Sequence, residues 1–185
     1  GYRTIIPPIV VRRSPIEFRV AEHPSEFEQV SRLLYQTFVE EIPQHPPNPD
    51  GRHVDRFHHE NQYVVAKSGD EVVGVIAIRG NRPFSLDQKL GPVDEMLPAG
   101  RRICELRLLA VKPAHRTGPV FKGLVDSVVQ VGRSEGYDLA IISGTLRQTK
   151  LYRHLGFRPF GSQVSTDEAP FQPMYITFED FLAVA

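Results

Sequence analysis

The sequence predicts a mixed α/β domain, a sheet flanked by helices, and three observations carry that reading. Between Ile103 and Phe157 an apolar run, a basic glycine-bearing loop, a helical apolar repeat, a second apolar run and an aromatic-bearing helix follow one another. Two β-branched runs, Tyr63 to Ala66 and Val72 to Ile78, flank Lys67-Ser68-Gly69-Asp70-Glu71, a hairpin signal. The whole chain then reads β-α-loop-β-β-loop-β-α-β-α-β-β, an order that suits one mixed sheet covered by helices.

Residues 1 to 15 contain Pro7, Pro8 and Pro15 and form an irregular arm, and residues 16 to 185 a single domain. Ile16, Phe18 and Val20 alternate as a first strand. Pro24 and Ser25 open a helix in which Phe27, Val30, Leu33, Leu34, Thr37 and Phe38 recur at three and four residues, giving one apolar face for the sheet. Pro43, Pro46, Pro47 and Pro49 exclude a long helix from Ile42 to Gly51 and predict a stiff loop. After the hairpin, residues 80 to 100 form a proline- and glycine-rich insert whose Phe84, Leu86, Leu90, Met96 and Leu97 can pack over a site. Leu106 to Val111 is an interior strand stopped at Lys112-Pro113. Val120, Leu124, Val125, Val128 and Val129 mark the next helix. Arg158 to Phe160 and Met174 to Phe178 read as a closing pair of strands.

Composition narrows the function. The chain has 185 residues, 41% of them hydrophobic, enough for one core. Lys+Arg and Asp+Glu both number 22, so no net field draws in nucleic acid. The single cysteine, Cys104, excludes an internal disulfide and reads as a buried apolar thiol; no apolar run is long enough to span a membrane. A reduced cytoplasm is expected. The N-terminus lacks a signal-peptide layout, and its starting glycine is read as a boundary or tag remnant of a longer native chain.

The loop His115-Arg116-Thr117-Gly118 leads into a helix start, where unpaired N–H groups and the dipole suit an anion, phosphate above all. On Gly118 and on Leu151, Tyr152, Gly156 and Phe157 the chain resembles the GNAT acyltransferase superfamily. That family carries Arg/Gln-x-x-Gly-x-Gly/Ala after the fourth strand and Asn-x-x-Ala-x-x-Leu/Phe-Tyr-x-x-x-Gly-Phe later. Here His115 holds the Arg/Gln place, Val120 the last Gly/Ala place, and Thr145 and Gln148 stand where Asn and Ala are usual. Pro119, between Gly118 and Val120, has no N–H to donate.

The resemblance implies a mostly antiparallel GNAT-type central sheet and transfer of an acyl group from acyl-CoA, acetyl or longer, to the primary amine of a small molecule. Glu105 takes the part of the base and Tyr152 that of the acid protonating the leaving thiolate. Cofactor contacts are expected from the backbones of Leu109 and Val111 to pantetheine, from Arg116, Thr117 and Gly118 to pyrophosphate, and from Thr145. The residues alone leave plainer readings open. Glu105 and Arg107 share a strand face and can form a structural ion pair, and Tyr152 can be a buried helix aromatic. Gly156 suits a helix C-cap.

A finer resemblance lies in Arg32-Leu-Leu-Tyr-Gln-Thr-Phe-Val-Glu-Glu41, Asp55, Glu105-Leu-Arg107 and Phe171-Gln-Pro-Met-Tyr175. These residues resemble the branch containing acyl-homoserine-lactone synthases and long-chain N-acyl amino acid synthases. That branch implies an acyl carrier protein as an alternative donor; a second copy of the chain is a further candidate partner. A non-catalytic binding module of the same fold is the reading from a different class. No metal is expected: His53, His58 and His59, beside Asp55 and Glu60, lack a thiolate partner and read as a solvated or acceptor-binding face. Glu40 and Glu41 read as surface acids ending a helix, with contact to a cationic amine as the alternative.

Overall fold

The computed structural model describes residues 15–165 and 169–184, so the arm expected over residues 1–14 lies outside the described residues. A seven-stranded sheet runs in the order β1-β2-β3-β4-β5-β7-β6. The strands are β1 (Ile16–Val20), β2 (Gln62–Ser68), β3 (Glu71–Arg79), β4 (Ile103–Val111), β5 (Leu139–Thr145), β6 (Arg158–Pro159) and β7 (Phe171–Thr177). Only β4 and β5 pair in parallel; every other neighbour is antiparallel. The mixed, mostly antiparallel sheet is the one the resemblance implies.

Helices α1 (Pro24–Tyr35), α2 (Ser85–Leu90), α3 (Val120–Ser134), α4 (Thr149–His154) and α5 (Phe178–Val184) cover the sheet. On one face Val120, Leu124, Val125 and Val128 of α3 meet Val64, Ile76, Ile78, Cys104 and Leu106. On the other, Val30, Leu33 and Leu34 of α1 meet Tyr63, Val65, Val75 and Ala77. The alternation along each strand thus feeds two layers of helix at once, and β2 and β3 are buried through their middles.

Two close approaches fix how α3 sits. A methyl group on Gly74 of β3 would lie 2.9 Å from Val120, and one on Gly123 would lie 2.0 Å from the Phe18 ring of β1. Glycine at these two positions lets the helix touch the strands. The hairpin turns through Gly69 at φ 60°, where an L side chain would be strained.

Several boundaries differ from expectation. Helix α1 does not stop cleanly: Gln36–Glu41 continue as a π-helical turn, with the Ile42 N–H donating to the Thr37 carbonyl at 2.8 Å. The insert at 80 to 100 is not merely irregular. It forms α2 and a short 3₁₀ turn, Val93–Met96, and a third cluster in which Phe84, Leu86, Val93 and Leu97 pack on Ile103, Leu139, Ile141 and Phe171. The signal was present in Asp87, whose carboxylate accepts from the N–H of Phe84 at 2.7 Å and so caps the helix start. The closing strand β6 is only Arg158–Pro159, and Phe178 begins α5 rather than ending β7. No helix among the described residues is long and apolar enough to cross a membrane.

Candidate active site

The parallel pairing of β4 with β5 runs from Ile103 opposite Leu139 to Leu106 opposite Ile142 and then stops, although β4 continues to Val111 and β5 to Thr145. At that point β4 also bulges. Val75 faces Ala110 and Ala77 faces Arg107, so Leu108 and Leu109 together stand opposite Ile76, and Leu108 adopts φ 58°. A left-handed leucine is costly and is kept only where its surroundings impose it; the bulge turns the strand away from its parallel neighbour. Between the diverging strands lies a cavity of about 440 Å³, lined by Glu105 to Leu109 of β4, Ser143 and Thr145 of β5, Gln148 just before α4 and Tyr152 within it, and Phe38, Ser85, Lys89 and Phe171 among others.

Glu105 is the acid in this wall, 1% exposed. Its Oε1 accepts from the Ser85 N–H at 3.2 Å and hydroxyl at 2.9 Å, with Arg107 Nε at 3.3 Å; Oε2 accepts from the Leu86 N–H at 3.1 Å. One oxygen is therefore saturated and the other holds a single donor. Arg107 in turn donates to both oxygens of Asp55, at 2.6 and 3.3 Å. Asp55 is buried, which alone would push its carboxyl up, but Arg107, Asn61 and the Phe57 N–H outweigh this and hold it below the usual carboxylate range. The ion pair open to Glu105 at the sequence level is present, and it extends to Asp55.

Tyr152, in the middle of α4, is 1% exposed and packs against Phe121 at 5.5 Å and Phe157 at 5.3 Å between ring centres. Burial pushes its phenol well above the ordinary tyrosine value, so it stays protonated at neutral pH. Glu105 and Tyr152 thus share one cavity, an acid and a phenol drawn from elements 47 residues apart (residues 105 and 152).

The expected phosphate loop precedes α3 as a short turn, Pro113–His115, followed by exposed Arg116, Thr117 and Gly118. A methyl group on Gly118 would meet nothing within 4 Å, so the protein itself does not require glycine there. Arg116 is already engaged, by Glu41 at 2.6 and 2.5 Å and by the Val111 carbonyl at 2.9 Å. Glu41 is accordingly an ion-pair partner rather than a free surface acid. The Lys112 N–H donates to the Val73 carbonyl on β3 at 2.9 Å, so by alternation the main-chain groups of Val111 turn to the other side, where its carbonyl accepts from Arg116 Nε; Leu109 lies within the bulge. Thr145 hydroxyl donates to Gln148 Oε1 at 3.2 Å, joining the end of β5 to the start of α4.

The histidines do not form one solvated face. His58 Nδ1 lies 3.0 Å from the Tyr63 hydroxyl, and His53 stacks on His45 with centroids 4.3 Å apart; burial, then the nearby His45, holds the His53 imidazole below its usual value. Among the described residues no group of three or more His, Cys, Asp or Glu is placed to hold a metal ion. Cys104 is buried in the helical face of the sheet, where burial pushes its thiol up to about 12. Sequence reasoning missed Ser85 and Lys89, on the short helix α2, and the Asp55–Arg107 pair, because each joins the site through a tertiary approach that no periodic pattern marks.

Residues 29–177 match the model of the family "N-acyl amino acid synthase FeeM". Among solved structures, FeeM from uncultured soil microbes superposes with a TM-score of 0.70 at 16% identity, covering 92% of this chain and 95% of that one. The CoA-dependent acyl-homoserine lactone synthase BjaI gives 0.71 at 22% identity over 88% and 81%. These likenesses concern the fold. Among curated proteins, mouse (Mus musculus) N-acetyltransferase 8 is 35% identical over 102 residues, 54% of this chain and 39% of that protein. The chain therefore spans well under half the length of that relative.

Proposed function

The chain belongs to the N-acyl amino acid synthase FeeM family, and we propose that it transfers an acyl group from a thioester to the primary amine of a small molecule. The observation that carries this reading is the shared cavity of Glu105 and Tyr152 at the point where β4 and β5 part. An acyl thioester laid in the gap meets main-chain groups of Leu109 and Val111 along one side. The helix start behind Thr117 and Gly118, with Arg116, suits its phosphates, and Thr145 closes the far side. The amine nitrogen attacks the carbonyl carbon, and its proton passes to Oε2 of Glu105, the oxygen with spare acceptor capacity. As the carbon–sulfur bond breaks, the leaving thiolate takes the phenolic proton of Tyr152.

Acyl-CoA is the donor we favour; the structural neighbour BjaI is described as CoA-dependent. A carrier-protein donor is the second reading, and two observations support it. Pro119 removes one N–H from the helix start, and Arg116 is tied to Glu41. Both weaken a diphosphate site, whereas a carrier brings its phosphopantetheine on a folded partner. The family's name supplies an amino acid as the acceptor.

Glu105→Gln tests the mechanism. Turnover falls at neutral pH and falls less at high pH, where the amine is already free; a full rate at every pH removes Glu105 from the chemistry.

A further inference from the structure

We infer that Phe57 is a positioning residue for Glu105: its ring holds the buried guanidinium of Arg79 away from the carboxylate and so keeps Oε2 free to take a proton. This rests on the acyl-transfer reading above and adds to it a residue that shields the base from a neighbouring cation.

Arg79 stands directly opposite Glu105 in the antiparallel ladder of β3 and β4. Residues paired in this way send their side chains to the same face of the sheet, with Cβ atoms about 5 Å apart, and an arginine there is placed to close an ion pair with the glutamate. No ion pair between the two is seen. Arg79 turns instead to the loop before β2. Its guanidinium lies 3.6 Å from the centre of the Phe57 ring, a second nitrogen approaches Glu60 Oε2 at 3.4 Å, and Nη1 donates to the Pro83 carbonyl at 3.1 Å. The cation that Glu105 does meet is Arg107, whose Nε lies 3.3 Å from Oε1.

This arrangement keeps apart two groups that suit each other. Arg79 is 3% exposed, and among the described residues its Nε is a buried donor with no hydrogen-bond partner. Glu105 Oε2 holds only the Leu86 N–H. A buried donor without a partner and a buried carboxylate oxygen with spare capacity attract strongly where water is excluded, so a restraint is needed to separate them. Stacking on an aromatic face supplies one, because it holds a flat cation by its plane. Glu60 is largely exposed and grips Arg79 more weakly. Were Arg79 to reach Oε2, it would fill the lone pair that the acceptor's proton needs. The Phe57 ring also lies 4.9 Å from the Arg107 guanidinium, so one side chain steadies both cations of this wall.

The test measures thiol release with the acyl-CoA donors and pooled amino acids for the wild type, Phe57→Leu, Phe57→Tyr, Arg79→Met and the double variant Phe57→Leu/Arg79→Met. A crystal structure of Phe57→Leu accompanies the kinetics. Leucine keeps apolar bulk at the half-buried position but offers no aromatic face. Phe57→Leu is expected to lower kcat by about tenfold or more at neutral pH, a share of what a general base supplies, and to lower it less at high pH, as Glu105→Gln does, with little change in the donor KM. Phe57→Tyr keeps most of the rate. Arg79→Met, which cannot pair with a carboxylate, restores kcat when added to Phe57→Leu, a rescue that a packing role for the ring would not produce. In the crystal, Arg79 of Phe57→Leu lies within hydrogen-bond distance of Glu105 Oε2. A full rate in Phe57→Leu, a loss that Arg79→Met does not repair, or an Arg79 that stays clear of Oε2 in the crystal overturns the assignment. Absence of turnover by the wild type with every donor counts against the acyl-transfer reading, and the position of Arg79 in the crystal then decides the role of Phe57 by itself.

Discussion

The guanidinium of Arg116 donates to both carboxylate oxygens of Glu41, at 2.6 and 2.5 Å, and so ties the loop before α3 to the end of the π-helical turn that carries Phe38 into the cavity wall. Arg147 approaches the same carboxylate at 3.7 Å. On the acyl-transfer reading proposed above, Glu41 competes with the donor's phosphates for Arg116. Replacing it with glutamine frees Arg116 for the donor. The pair is partly exposed and worth about 1 kcal/mol at most, so coenzyme A is expected to bind several-fold more tightly to Glu41→Gln, with a steeper salt dependence. Calorimetry at two ionic strengths checks this; weaker binding would mean that Glu41 instead holds Arg116 in its working pose.

Tyr152 separates a chemical role from a packing role. Its ring is fixed by Phe121 and Phe157, whereas no hydrogen bond of its hydroxyl to another described residue is seen. Tyr152→Phe keeps the ring, so the melting temperature should hold while kcat drops by about tenfold or more. A drop in stability with unchanged kcat would assign the tyrosine to the core.

Gly123 tests how α3 meets the sheet. Glycine inside a helix normally costs about 1 kcal/mol relative to alanine, so the substitution is expected to stabilise on propensity alone. Here the added methyl would lie 2.0 Å from the Phe18 ring, and overpacking of this kind costs about 1–3 kcal/mol. Overpacking wins: Gly123→Ala lowers stability in denaturant titration, and Phe18→Leu in the same chain restores part of it.

Glu26 governs acid stability. It is fully buried, receives the N–H groups of Glu22 and His23 at 3.1 and 2.9 Å, and pairs with Arg19 at 2.6 Å and Lys67 at 3.2 Å. Burial alone would raise its pKa; the N–H groups of His23 and Glu22, then Arg19 and Lys67, outweigh it and bring the value to about 2. A carboxyl depressed in the folded state stabilises above its unfolded value, near 4.5, and that contribution is lost as pH falls from there toward 2. Melting temperatures of the wild type and Glu26→Gln should differ most at pH 6 to 7 and converge toward pH 2. A gap independent of pH would show that only packing was lost.

The legible part of the fold was the part written in periodic apolar residues. The continuous β-branched runs of β2 and β3 and the three-and-four spacing of α1 and α3 appear in the structure where the sequence puts them. The six-residue α2 left no such period to read, and its start is fixed by the single side chain of Asp87. The π-helical turn at Gln36–Glu41 extends the apolar pattern of α1 without announcing the wider turn. In the site, Glu105 and Tyr152 were found through motif resemblance, and the structure adds what no motif carries. Asp55 reaches Arg107 across 52 positions, and Ser85 reaches Glu105 across 20. Such contacts depend on how loops close over the sheet, and the identity of either residue alone does not specify them.

The most direct measurement of the central claim is thiol release by the wild-type protein from acetyl-, octanoyl- and palmitoyl-CoA in the presence of pooled amino acids, with product masses read in parallel and acyl carrier protein thioesters run alongside. The expected result is an N-acyl product whose yield falls in Glu105→Gln at neutral pH. Absence of any acylated amine with every donor and both carriers, from protein that binds coenzyme A, would contradict the account.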